Sequence, residues 1–164
     1  MAQVKTKKRA SASVKTVRKT PGPKAFFYDI NDLNAVNFAD LVAAGEIVFD
    51  GIEYFGDRIV EKEILKLPTI SLIQYTIAPG TRVPHHRHDC NQIDFVLEGS
   101  VHYGDDKKVL TKGMGFFAPK GQAYSWTAGS QGCTFLEVHD KGDFLTLWRD
   151  PKSKWLPHKN WNEG

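Results

Sequence analysis

Apolar and polar residues alternate in short runs along most of the chain, and turn residues separate the runs. This period of two predicts short β-strands whose side chains point alternately to two faces. We predict strands at residues 47–49, 69–78, 81–88, 92–97, 100–103, 109–110, 114–118, 123–127, 133–139 and 144–148. Many short strands at close spacing are typical of an antiparallel sandwich or barrel, so we predict an all-β fold.

One segment near the N-terminus has the period of a helix instead. Phe38 and Leu41 are spaced for one helical face, Asn37 precedes them as an N-cap residue, and Gly45 follows as a stop signal. The sequence therefore predicts one short helix before the strands. The aromatic residues 26–28 lie upstream and are expected to form a first strand or an anchoring arm.

Charge divides the chain into a basic tail and an acidic remainder. Residues 1–24 carry eight Lys or Arg and no acid, so the other 140 residues hold 14 basic and 19 acidic side chains, a net charge of −5. We predict a disordered tail at 1–24, a barrel domain at 25–148 and an irregular segment at 149–164 that covers the barrel or a partner subunit.

The tail allows three interpretations. A solvated arm is favoured, and the alternatives are an electrostatic contact with nucleic acid or another acidic partner, and an organelle targeting peptide. No apolar run reaches the ~20 residues of a membrane helix, and no secretory h-region follows the N-terminus. Two cysteines do not make a disulfide framework. We therefore expect a cytoplasmic protein without membrane contact.

The chemically informative segment contains two histidines, His86 and His88, in a predicted strand. Residues at i and i+2 of a strand share a face, about 6.6 Å apart along it. Two neutral imidazoles on one face are suitable ligands for a divalent transition metal. By the same parity, Gln92 and Asp94 are expected to point toward the histidines, while Ile93 and its alternate neighbours pack behind.

Two spaced motifs extend this observation. The first is Gly80, five residues, His86-x-His88, three residues, Gln92, six residues and Gly99. It resembles the first motif of the cupin superfamily, which has Glu where this chain has Gln92. The second motif of that family ends in His after a Gly–Pro-x-Gly pattern. This chain has the second motif at 113–124, with Tyr124 in place of the His.

The resemblance implies an antiparallel jelly-roll barrel of the cupin (RmlC-like) type. Carried over by position, the family's metal ligands become His86, His88, Gln92 and Tyr124. Gln and a neutral Tyr are weaker donors than Glu and His, so the ion is expected to keep open positions. Iron is the preferred metal on this interpretation, with nickel, manganese, zinc and copper as alternatives.

The layout around the first motif is also similar to small cupins related to diketone- and hydroxyketone-cleaving dioxygenases. This likeness implies an oxygen-dependent oxidoreductase acting on a small-molecule substrate. Tyr124 and Asp94 are the candidate catalytic residues. A non-catalytic cupin that binds a small ligand is the alternative, because two of the four ligand positions depart from the family.

Four more residues are candidate substrate contacts. Arg82 and Trp126 are placed near the motif residues by sequence. Glu137 and His139 share one face of the strand 133–139, where they supply a missing ligand or an acid–base pair if that face is internal. We favour the solvent-facing interpretation of this pair. The aromatic residues 26–28 and the Trp-rich C-terminus predict a homodimer, because a small barrel covers them poorly.

Overall fold

The computed structural model describes residues 25–44, 56–104, 108–149 and 155–157. These ranges contain one α-helix, α1 (Phe38–Ala43), one 3₁₀ turn (Gly56–Arg58) and ten strands. The strands are β1 (Val36–Asn37), β2 (Ile59–Leu67), β3 (Ile70–Ile77), β4 (Arg82–His88), β5 (Gln92–Tyr103), β6 (Lys108–Thr111), β7 (Gly115–Ala118), β8 (Tyr124–His139), β9 (Thr146–Arg149) and β10 (Trp155–Pro157). This strand-rich architecture confirms the predicted all-β class.

The long strand β8 organises the sheet because it pairs with three other strands, all antiparallel. Its first half pairs with β4 and with the end of β5. Its second half pairs with β3 and with the start of β5. Outward from there, β2 and β1 follow β3, while β9 and β10 follow β4. The sheet therefore curls, and its concave face encloses the core, in which Phe135, Val96 and Trp126 are buried.

Two predicted turns are β-bulges within continuous strands. We expected breaks at Gly99 and near Gly129, whereas β5 and β8 continue through them, with register shifts beside Gly99. Gly99 has a φ of 70°, and a β-carbon there would lie 2.1 Å from the carbonyl oxygen of Gly132. Glycine at this position serves a close approach of two strands, which marks a bulge as readily as a turn.

The N-terminal helix begins as predicted. The Asn37 side chain accepts a 2.8 Å hydrogen bond from the Ala39 amide, which satisfies one of the free N–H groups of the first turn. Strand β2 was not predicted, because its Glu and Lys residues hide the alternation. In the segment expected to be irregular, Trp155–Pro157 form β10 against β9.

Three expectations concern residues outside the described ranges: the disordered tail 1–24, the strand 47–49 and the stop signal at Gly45. Within the described ranges, no helix is long and apolar enough to cross a membrane. Both cysteines are buried and free of disulfide bonds.

Candidate metal centre

The two histidines of β4 point to the inside of the curled sheet. Both are buried, and their ring centroids lie 5.3 Å apart. His88 is held at both nitrogens: Nε2 lies 3.2 Å from the Tyr124 hydroxyl and Nδ1 lies 3.1 Å from the Thr146 hydroxyl. The strand alternation thus places this pair where the sequence predicted.

His86 differs from His88 in its surroundings. Its Nδ1 lies 2.9 Å from the Pro84 carbonyl oxygen, which fixes Nδ1 as the protonated nitrogen. The ring packs against Tyr124 and Trp148 with centroid distances of 4.4 and 4.9 Å. His86 is therefore embedded in an aromatic environment.

Strand β8 brings two further titratable side chains to the same interior. Glu137 and His139 are both buried, and His139 is fully so. In the sheet register Glu137 lies opposite Asp94 of β5, and His139 lies opposite Gln92. The favoured interpretation, that this pair faces solvent, is wrong. The face of β8 that carries them continues the row of buried Phe135, which is the signal that identifies it as internal.

Three buried residues with metal-ligating side chains form a cluster: His88, Glu137 and His139. One ligand atom of each lies within 4.8 Å of the others. The Nε2 of His139 is 3.1 Å from Glu137 Oε1, but at an angle that does not make a hydrogen bond. Among the described residues this buried nitrogen has no hydrogen-bond partner. A buried nitrogen without a partner is costly, and a metal ion would use its lone pair.

The other nitrogen of His139 supports the same conclusion. Its Nδ1 lies 3.1 Å from the Ser71 hydroxyl, and a histidine ligand commonly has its second nitrogen held in this way. The ring stacks on Phe144 with a centroid distance of 3.6 Å. Two imidazoles and one carboxylate are donors that divalent iron and related metals accept, so the residues fit a metal ion.

Gln92 joins the buried carboxylates of the site. Its amide nitrogen donates to Asp94 Oδ1 at 2.8 Å and to Glu137 Oε2 at 2.9 Å. Its carbonyl oxygen accepts from the Tyr124 hydroxyl at 2.6 Å. All three polar positions of the amide group are thereby used inside the protein. Gln92 thus acts as a bridge between two carboxylates.

This network explains why the family's Glu is absent here. A third carboxylate beside Asp94 and Glu137 would remove both donors and add a like charge in a buried place. The amide provides two donors and one acceptor to neighbours that need them. Asp94 also accepts a hydrogen bond from the Tyr103 hydroxyl.

Burial sets the protonation states. It lowers the pKa of His86 to about 4 and the pKa of His88 well below 6.5. Neutral imidazole is the form that binds a metal. Burial, and then the charge of Glu137, raise the pKa of Asp94 well above its usual range. Burial also raises the pKa values of Tyr103 and Tyr124, so both phenols stay protonated.

Two adjoining cavities lead to the cluster. The inner one, of about 40 Å³, is lined by Glu137, His88, His86 and Trp126 among others. The outer one, of about 420 Å³, is bounded by α1, β2, β3 and the segment 142–148. The two share wall residues including Tyr75 and Trp148. The outer volume is of the size that small-molecule pockets have.

The predicted site residues divide between this interior and other places. Trp126 lines the inner cavity, as does Glu137. Asp94 and Tyr124 are buried behind the cluster, and neither lines the two cavities. Arg82 is exposed and lines a separate cavity with His102 and Ser130. The expected contact between Arg82 and substrate therefore has no support in the geometry.

Comparison with known proteins supports the fold. The model of the cupin domain family matches residues 73–139, which contain all three cluster residues. The structure resembles an RmlC-like cupin protein from Ralstonia eutropha JMP134, with a TM-score of 0.64 and 14% identity over 81% of this chain and 77% of that one.

Two structures of named enzymes are also similar. The polyketide cyclase RemF from Streptomyces resistomycificus has a TM-score of 0.54 and 20% identity over 71% of this chain and 79% of that one. A variant of oxalate decarboxylase from Bacillus subtilis has a TM-score of 0.52 and 16% identity, covering 78% of this chain and 31% of that one. No curated protein sequence matches the chain. Likeness at this level of identity shows the fold.

Proposed function

The chain belongs to the cupin superfamily, and from this premise we propose that it is a metal-dependent enzyme acting on a small organic molecule. The observation that carries the proposal is the buried cluster of His88, Glu137 and His139, in which one imidazole nitrogen lacks a hydrogen-bond partner. Such a nitrogen, next to a carboxylate that lines a cavity, is better explained by a ligand role than by packing.

The proposed ligand set differs from the one that the motif positions imply. His88 belongs to both sets. Glu137 and His139 join it as donors, whereas His86, Gln92 and Tyr124 are left out of the proposed set. Gln92 and Tyr124 are committed to the hydrogen-bond network behind the cluster. We infer that this network orients the Glu137 carboxylate: Gln92 holds Oε2, and Oε1 faces His139.

Oxygen-dependent cleavage is the reaction class that we assign. A metal held by two imidazoles and one carboxylate supplies open coordination positions, as in the non-haem iron oxygenases. The cavity walls supply the rest: Trp126 and Trp148 offer apolar surface for a carbon skeleton, and Thr146 steadies His88. Asp94 and Tyr124 act as positioning groups, since neither lines the cavities: Tyr124 contacts His88, and Asp94 is linked to Glu137 through Gln92.

Metal analysis and oxygen uptake test the proposal. Protein purified without added metal is analysed by mass spectrometry, then reconstituted with Fe(II) without oxygen and assayed against small diketones and hydroxyketones in an oxygen electrode. The test variant is Glu137→Gln, which keeps shape and removes the charge. The control is Glu98→Gln, an exposed carboxylate of β5 that lines neither of the two cavities. We expect the test variant to lose metal and oxygen uptake, and the control to keep both.

The outcomes separate the alternatives. Wild-type protein that binds no divalent metal after reconstitution would overturn the enzyme and favour the non-catalytic cupin that binds a small ligand. Metal binding that requires Glu137, without oxygen uptake on any substrate, would retain the metal centre and reject the dioxygenase assignment. Equal metal content in Glu137→Gln and wild type would reject the proposed ligand set.

A further inference from the structure

The convex face of the sheet carries an apolar row that crosses five strands. Directly opposite residues in a sheet share a face, and the register aligns Leu65 of β2, Leu72 of β3, Val138 of β8, Ile93 of β5 and Phe117 of β7. None of these side chains is fully buried, and Ile93 and Phe117 are 40% and 58% exposed. The solvent-facing side of an antiparallel sheet is ordinarily polar, so we expect another surface to pack against this apolar row.

A neighbouring row adds to the same surface. Phe95 of β5 is exposed, and its cross-strand partner Leu136 on β8 is half-buried. On the other side Phe95 lies opposite Gly115, so its ring covers the bare backbone of β7, and exposed Met114 immediately precedes Gly115. The apolar surface is therefore continuous over β8, β5 and β7.

The N-terminal arm, residues 25–29, starts from the same face. Phe26, Phe27 and Tyr28 are all more than half exposed. Directly after the arm, the Ile30 carbonyl accepts a 3.0 Å hydrogen bond from Lys62 on β2. Lys62 is in the row that continues through β3 and β8 to Phe95. Three strand spacings of ~4.8 Å put the anchor of the arm about 14 Å from Phe95.

We propose that a second copy of this chain covers the convex face, in a two-fold dimer whose arms lie across the interface. Two features favour this occupant. The exposed aromatic side chains amount to roughly 600 Å² at about 200 Å² for each whole residue, the scale of one partner's share of a standard interface, about 800 Å². In addition, each arm is preceded by a tail with eight basic residues, while the remainder of the partner carries a net charge of −5. The tail and the partner domain therefore attract each other.

Light scattering and sedimentation of the full-length protein at several concentrations test the dimer. We expect the mass of two chains for wild type. The double change Ile93→Glu with Phe117→Glu places two charges in the row and should raise the dissociation constant at least ~100-fold. Val109→Glu is the matched control, because Val109 is 46% exposed but lies on β6, off the two rows. The control should stay dimeric.

Two further measurements complete the test. Circular dichroism verifies that the double variant is folded, and the milder Phe95→Ser serves in its place if it is not, with an expected weakening of roughly 10-fold. Removal of residues 1–29 should also weaken the dimer. Wild type that stays monomeric, an equally dimeric double variant, or monomeric wild type bound to vesicles of anionic lipid would each overturn the proposal. None of these results depends on metal content or activity.

Discussion

The two faces of the central strands reverse the usual distribution of polarity. On the concave face, the register aligns Ser71, His139 and Gln92 in one row, and Glu137 with Asp94 in the next. On the convex face, the aligned residues are leucine, valine, isoleucine and phenylalanine. Strands β8 and β5 therefore bury an imidazole and two carboxylates, β3 buries the Ser71 hydroxyl, and all three strands leave aliphatic side chains partly exposed.

The difference between the faces separates stability from function. Farther along the concave face, Phe135, Val96 and Ile77 belong to an apolar core. The free energy gained by burying it offsets the cost of burying the polar groups. Hydrogen bonds hold the polar groups of Gln92, Asp94 and Tyr124, whereas the Nε2 of His139 has no partner among the described residues. Exposed apolar residues on the convex face give little to the folded monomer, since they stay largely in water. Each face departs from the common pattern where we propose that a ligand or a partner binds.

The largest effect on stability is expected from a change in the concave network. Gln92→Glu removes two donors and adds a carboxylate beside Asp94 and Glu137. In metal-free protein this should cost about 4 kcal/mol of unfolding free energy in urea titrations. Gln122→Glu, at an exposed position, should change stability by less than ~0.5 kcal/mol. Equal stability of the two variants would show that the network does not constrain the charge at residue 92.

Acid should lower the free energy of unfolding through a buried histidine of the concave face. Burial lowers the pKa of His86 to about 4 from 6.5, so between these pH values the unfolded chain binds a proton that the folded protein does not. Stability is therefore present above pH 6.5 and falls as the pH drops toward 4, by about 3 kcal/mol for this residue. Urea unfolding of metal-free protein at several pH values measures the slope. His86→Leu should flatten it, and an unchanged slope would assign the effect to other groups.

The ligand set is tested by comparing two histidines. His139→Ala should weaken metal binding by more than ~100-fold, because it removes a proposed ligand, whereas the loss of a residue that only orients a ligand costs about 10–100-fold. His86→Ala should have the smaller effect, because His86 lies outside the three-residue cluster. Competition with a chromophoric chelator gives both affinities. A greater loss of metal affinity in His86→Ala than in His139→Ala would instead support the ligand positions that the motif implies.

The smallest effect is expected on the convex face. Val138→Thr replaces a half-buried methyl group by a hydroxyl that water can solvate, and should cost less than ~1 kcal/mol in dilute protein. Val96→Thr makes the same replacement in the buried core, where it should cost about 2 kcal/mol or more. Thermal or urea unfolding compares the two. Similar losses would show that the convex face is already covered within a single chain.

The sequence by itself determined the all-β class, the short helix capped by Asn37 and the inward direction of His86 and His88. These properties follow from local rules: the period of the side chains, the cap and the spacing of the motif residues. Parity also predicted that Gln92 and Asp94 are internal. It did not predict that Ile93 and Phe95 are exposed, because alternation assigns residues to two faces without stating which face is covered.

The tertiary structure decided which polar residues meet. Glu137 and His139 lie about 50 residues after His88 in the chain, and only the pairing of β8 with β3 and β5 brings them to His88. The local signal in that strand is Phe135 on the same face, which indicates an internal face but does not distinguish a cavity from a packed core. The role of Gln92 could not be predicted from the sequence for the same reason. Gln92 donates to two carboxylates, and one of them, Glu137, is 45 residues away in the chain. Long-range strand pairing and burial fix these contacts, and both depend on the whole sheet.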